Sequence, residues 1–153
     1  MKKILKLAVA ALFASLALTA CKPTLSPTEI PEKDFFAKCT LKVTVTTTIQ
    51  GNKVNIPNCP VKITPKSIGK SYTFYTSEET MNQGILVHSF PIPKPEGDAI
   101  VAGDAYSLSV DFDSGNPLIG HVTGSNTTSV SLDLSKGEKE ATKEVTITCY
   151  QKK

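Results

Sequence analysis

The sequence has little of what most enzymes use. It contains two histidines, His88 and His121, and it lacks the G-x-S-x-G, H-E-x-x-H, C-x-x-C and P-loop signatures. A catalytic triad built from distant residues needs no local signature, so a hydrolase that uses either histidine is an alternative. The sequence favours a protein that is not an enzyme and has no cofactor.

An excess of positive charge is also absent once the first 20 residues are set apart. Residues 1–6 carry three lysines and no acid, and residues 7–20 carry no charge. This pattern is typical of a secretory signal peptide, and 14 uncharged residues fall short of the roughly 20 that span a bilayer. We expect a helical signal peptide over residues 1–20. Its removal from 153 residues leaves 133, with 14 of the 17 basic residues against 14 acids, which argues against a nucleic-acid partner.

The end of this segment, Leu18-Thr19-Ala20-Cys21, resembles the lipobox of bacterial lipoproteins. The resemblance implies that the Cys21 thiol is acylated, that the bond before it is cut, and that the new amino group is acylated with a chain such as palmitate. Two or more acyl chains hold a protein stably on a membrane. An ordinary secretory signal cut near Ala20 is the alternative. Lys22 stands where enterobacterial lipoproteins kept in the inner membrane have aspartate, so the resemblance implies a cell-envelope protein of the outer membrane.

Residues 21–38 form the predicted anchor and tether. Pro23, Pro27 and Pro31 recur every four residues among polar side chains, which is typical of an extended spacer. At about 3.1 Å per residue, such a spacer reaches roughly 50 Å from the lipid. The remaining residues, 39–153, are predicted to be one domain.

Helical periodicity is missing from the chain after residue 20. From Cys39, apolar and polar residues alternate instead, as in a strand with one buried face, and Gly51-Asn52 supplies a hairpin turn. Further short runs are separated by glycine, proline and polar clusters, with residues 124–128 and 136–140 as loops able to bind a ligand. The fold class is therefore all-β: an antiparallel β-sandwich of seven or eight strands, transthyretin-like or immunoglobulin-like.

Three groups of residues carry a family resemblance. Gly51 with Val54 and Ile56 is followed by Gly84 and Phe90, and then by Gly103-Asp104-Ala105-Tyr106-Ser107-Leu108-Ser109-Val110. Over residues 40–150 this order resembles transthyretin-like sandwiches, such as carboxypeptidase-regulatory-like and collagen-adhesin B-type domains, in which a hairpin leads to a "G-x-x-Y-x-L-x-V" strand. The chain departs from the pattern in the insertion 91–97 and in its cysteines, and no Lys and Asn pair for an isopeptide bond is assignable.

The cysteines that follow Cys21 are odd in number: Cys39, Cys59 and Cys149. In an oxidising compartment we expect one disulfide, and Cys39 with Cys59 is disfavoured by a separation of about 20 Å along the first strand. Cys149 is then the partner of either Cys39 or Cys59. A bond from Cys39 to Cys149 is favoured, on the assumption that the first and last strands run antiparallel. Three reduced, buried thiols are the alternative.

A metal site is a further candidate. Asp111 and Asp113, two apart on a strand, could join Asn116 as oxygen ligands to calcium. The alternative is a solvated strand face followed by a turn at residues 114–117. The sequence thus predicts a lipid-anchored envelope module that presents a β-sandwich to an unidentified protein or glycan, with a calcium-dependent module and an envelope hydrolase as alternatives.

Overall fold

The computed structural model describes residues 37–152. The predicted signal peptide, lipidated Cys21 and almost the whole tether lie outside the described residues. Within the described range, no helix is long and apolar enough to cross a membrane.

The predicted all-β class is confirmed. Residues 37–152 contain nine strands, more than the seven or eight expected, and one short 3-10 helix. The strands are β1 (Ala37–Ile49), β2 (Asn52–Asn55), β3 (Pro60–Pro65), β4 (Tyr72–Tyr75), β5 (Ile85–Ile92), β6 (Val101–Asp113), β7 (His121–Asp133), β8 (Glu140–Thr148) and β9 (Tyr150–Gln151), with the helix at Leu134–Lys136.

The strands form two sheets, as a β-sandwich requires. The first has four strands, β1, β2, β5 and β8. β1 lies at its centre: β5 and β2 pair antiparallel with successive parts of β1, and β8 pairs with it in parallel. The second sheet has five strands in the order β4-β3-β6-β7-β9, all antiparallel. The prediction of antiparallel pairing is therefore right for every pair except β1 with β8.

The first hairpin forms where the alternation predicts it, with its turn one residue earlier than expected. Ile49 pairs with Asn52, so Gln50 and Gly51 are the two turn residues. Both have positive φ, 49° and 82°. Such dihedrals belong to the type I′ turn, whose twist matches that of the flanking strands.

The chain leaves the first sheet directly after this hairpin. Pro57 and Asn58 lie in a crossover that carries the chain from β2 in one sheet to β3 in the other. The buried Thr76 side chain bonds to both ends of the crossover. Its Oγ1 donates to the Ile56 carbonyl at 2.7 Å and accepts from the Cys59 N–H at 2.9 Å.

Thr76→Val is expected to lower the free energy of unfolding by about 1–3 kcal/mol, because it leaves a buried backbone N–H and C=O without their partner. Chemical denaturation measures the change. Thr73→Val, at an exposed position of β4, is the matched control and should change stability by less than about 0.5 kcal/mol. Equal losses in the two variants would contradict this role for Thr76.

The core lies between the two sheets. Alternate residues of β1, namely Cys39, Leu41, Val43 and Val45, have no exposed surface. Phe90 of β5 and Tyr106 of β6 are 1% exposed and lie with their ring centroids 5.6 Å apart. The two sheets thus meet through an aromatic contact at the centre of the sandwich.

β7 is one strand of 13 residues where the sequence predicts two short strands and a loop at 124–128. It pairs with β6 along its whole length, from His121 opposite Asp113 to Asp133 opposite Val101. The polar residues read as a loop are mostly exposed and continue the pairing, because serine and threonine fit the solvated side of a sheet.

Candidate binding groove

An open groove lies at the corner where β8 of the first sheet approaches β7 and β9 of the second. It has a volume of about 570 Å³, within the range of small-molecule sites. Its lining comprises Val110, Asp111, Thr123, Gly124, Ser125, Asn126, Thr146, Thr148 and Tyr150. Hydroxyl side chains dominate this set.

Two features define how closely β7 and β8 approach at this corner. A Cβ on Gly124 would lie 2.9 Å from both the Cys149 sulfur and the Thr148 carbonyl oxygen, so only glycine lets β7 come this close to the end of β8. Beside it, the Asn126 Nδ2 donates to the Thr146 carbonyl at 2.7 Å. The groove is therefore built on a fixed junction between the sheets.

Tyr150 supplies an aromatic side chain at one wall. It is 71% exposed and pairs with Thr123 of β7. Its neighbour Cys149 is buried. On β8, Val145 and Ile147 are likewise buried, while Thr146 and Thr148 are exposed, which places their hydroxyls on the outer surface.

Asp111 is the one ionisable residue of the lining apart from the Tyr150 phenol. Its carboxylate pairs with the His121 Nε2 from the neighbouring strand. This hydrogen bond holds the pKa of Asp111 below its ordinary value. His121 is the first residue of β7.

The Asp111–His121 pair predicts a pH-dependent signal. A lowered pKa means that the folded protein favours the ionised form of Asp111. The pair therefore stabilises the folded state fully above the ordinary aspartate pKa, and this stabilisation is lost as the pH falls through the lowered pKa of Asp111. NMR titration of the Asp111 carboxyl carbon should give a midpoint that rises in His121→Ala. An unchanged midpoint in this variant would show that His121 is not the cause.

The calcium candidates serve the turn after β6. The Asp113 Oδ1 accepts from the Gly115 N–H at 3.1 Å, and the Asn116 Oδ1 accepts from the Leu118 N–H at 2.9 Å. Across residues 37–152, no group of three or more His, Cys, Asp or Glu side chains is placed to hold a metal ion. The geometry therefore matches the turn interpretation of these residues.

His88 faces the core and not the solvent. Its ring stacks on Phe74 at a centroid distance of 4.0 Å, and its Nε2 is buried without a hydrogen-bond partner. Burial lowers the pKa of His88. In the described part of the chain, neither His88 nor His121 is hydrogen-bonded to a Ser, Thr or Cys side chain that could act as a nucleophile.

The predicted Cys39–Cys149 disulfide does not form in this structure. Cys39 lies level with Ala141 at the start of β8, whereas Cys149 follows its end, about 25 Å further at strand rise. The prediction failed because it assumed antiparallel first and last strands. Cys39, Cys59 and Cys149 are buried free thiols, and burial raises the pKa of Cys59 to about 12 and that of Cys149 to about 11. Burial also raises the pKa of Cys39, so in all three residues the thiol is favoured over the reactive thiolate at neutral pH.

Of the groove residues, the sequence identified Asp111 as a metal candidate, and it identified residues 124–128 as part of a loop able to bind a ligand. Tyr150 was not predicted. Its position directly after the inward-facing Cys149 could have indicated an outward-facing ring, since neighbours on a strand point to opposite sides.

No family model, curated protein or solved structure matches this chain.

Proposed function

We propose that this chain is a lipid-anchored binding module of a bacterial cell envelope. The signal-like residues 1–20 and the Leu18-Thr19-Ala20-Cys21 pattern support attachment through acylated Cys21. The proline-containing residues 22–38 support a spacer between lipid and domain. Lys22 supports the outer membrane over the inner one, by the resemblance to enterobacterial lipoproteins.

The groove is the observation that carries the binding role. It opens to solvent at a corner fixed by the Gly124 approach and the Asn126–Thr146 hydrogen bond. Polar residues on a rigid scaffold are a common arrangement for binding sites. A transthyretin-like sandwich fits the same role.

The anchor is tested by expressing the full chain in a bacterial host, separating the membranes by density and measuring intact mass. We expect a mature protein that begins at Cys21, carries acyl chains and sediments with the outer membrane. Cys21→Ser should lack the lipid mass and leave the outer-membrane fraction. A wild-type protein without lipid would refute the anchor.

Lys22→Asp is the matched control, because it leaves the acylated cysteine in place. It should keep the lipid mass and move to the inner-membrane fraction in an enterobacterial host. Loss of lipid in this variant would mean that Lys22 acts in processing and not in sorting.

A further inference from the structure

The groove combines chemical groups that suit one class of ligand. Its lining has five hydroxyl side chains, one carboxamide and one carboxylate, and no lysine. Hydroxyls both donate and accept hydrogen bonds, so they match a ligand whose own polar groups are hydroxyls. The exposed ring of Tyr150 adds a flat apolar surface with a polar tip. A sugar ring has the same two parts, an apolar C–H face and a rim of hydroxyls.

We propose that this groove binds an uncharged glycan. The Tyr150 ring stacks on one face of a sugar, and the Asp111 carboxylate accepts hydrogen bonds from its hydroxyls, which are strong because the acceptor is charged. Thr123 lies between these two residues, and Ser125 lines the same outer surface further along β7. The inference deepens the proposed function, since it names the ligand class of the same groove.

The charges and the strand edges disfavour other ligands. Asp111 is the only charged residue of the lining, so the groove offers no cation to an anionic polymer. A peptide that adds a strand needs a continuous free backbone edge. Here β9 covers β7 at Val122 and Thr123, and the Asn126 side chain occupies the Thr146 carbonyl of β8.

The hydroxyl surface continues from the groove along β6 and β7 of the five-stranded sheet. Ser109 lies opposite Ser125, and Ser107 opposite Thr127, with all four side chains exposed or partly exposed. At the far edge of the sheet, Tyr75 of β4 is 61% exposed.

Tyr75 and Tyr150 belong to one row across this sheet. Tyr75 pairs with Pro60, which the β3–β6 register places level with Asp111. Asp111 pairs with Thr123, which pairs with Tyr150. The two tyrosines are four strand spacings apart, about 19 Å. A long glycan chain laid across the strands therefore contacts both rings, whereas a short one in the groove contacts Tyr150 alone.

Affinity electrophoresis of the full-length protein in detergent tests the proposal. The gels contain dextran, galactomannan or hydroxyethylcellulose as uncharged probes, with alginate as the anionic one. We expect retardation by at least one uncharged polysaccharide and none by alginate. Tyr150→Ala and Asp111→Ala should each weaken the affinity by about tenfold, with the melting temperature measured to confirm folding. Val87→Ala, exposed on the other sheet, is the control and should bind as the wild type does.

Chain length separates the roles of the two tyrosines. In calorimetry with fragments of the retarding polysaccharide, Tyr150→Ala should weaken binding of short and long fragments alike, and Tyr75→Ala should weaken only the long ones. No retardation by any uncharged probe, preferential retardation by alginate, or wild-type affinity in folded Tyr150→Ala would each overturn the proposal. None of these results affects acylation at Cys21, so the glycan site and the lipid anchor fail independently.

Discussion

Phe90→Ala is expected to lower the free energy of unfolding by about 3–5 kcal/mol, the usual cost of removing a buried aromatic ring. Phe90 is 1% exposed, and its ring centroid lies 4.9–6.2 Å from those of His88, Tyr106, Phe74 and Tyr72. These rings come from both sheets, so the cavity would open at the centre of the sandwich. Since the free energy of unfolding of a whole domain is about 5–15 kcal/mol, the variant loses a large part of its stability.

Urea denaturation followed by circular dichroism measures this loss. Val87→Ala is the control, because Val87 lies on the same strand with 61% of its surface exposed. Its change should stay below about 1 kcal/mol. If the two variants lose similar amounts, the aromatic cluster is not the centre of stability.

Gly124→Val is expected to lower stability by about 2–3 kcal/mol, as overpacking does where neighbours cannot yield. A Cβ at this position meets the Thr148 carbonyl and the Cys149 sulfur at 2.9 Å, and a Cβ so close forces backbone to move. The displaced atoms belong to the β8–β9 connection, so the groove should lose its shape together with stability.

Ser125→Val is the matched control on the adjacent residue. Ser125 is exposed, and valine favours strands, so denaturation should give wild-type stability or slightly more. A Gly124→Val protein of wild-type stability would show that β7 and β8 can separate at no cost, which contradicts a fixed corner.

Alternation in the sequence predicted the inner faces of the sandwich well. Along β1, the residues Cys39, Leu41, Val43 and Val45 are buried as their period of two requires. The same rule failed in β7, because outward serines and threonines resemble a loop when the partner strand is not known. The alternation also could not predict whether β8 runs parallel or antiparallel to β1, since the period of two is the same for both kinds of pairing.

The candidate site was less accessible to sequence reasoning than the fold. Asp111 is visible as an acidic residue on a strand, but its partner His121 and its neighbour Tyr150 join it only through the pairing of β6, β7 and β9. The groove also requires Gly124 to meet Cys149, and no local pattern links residues so far apart along the chain. Contacts of this kind depend on tertiary register.

The parallel pairing of β1 with β8 joins segments that lie far apart along the chain. Residues 38–46 of β1 have their partners at residues 140–148 of β8, so one edge of the first strand stays open until nearly the whole chain is present. A polypeptide that emerges from its N-terminal end therefore cannot close its first sheet before residues 140–148 are available. Such long-range pairing slows folding and exposes a strand edge meanwhile. For this chain, completion of the first sheet waits for residues 140–148, which supply the last partner of β1.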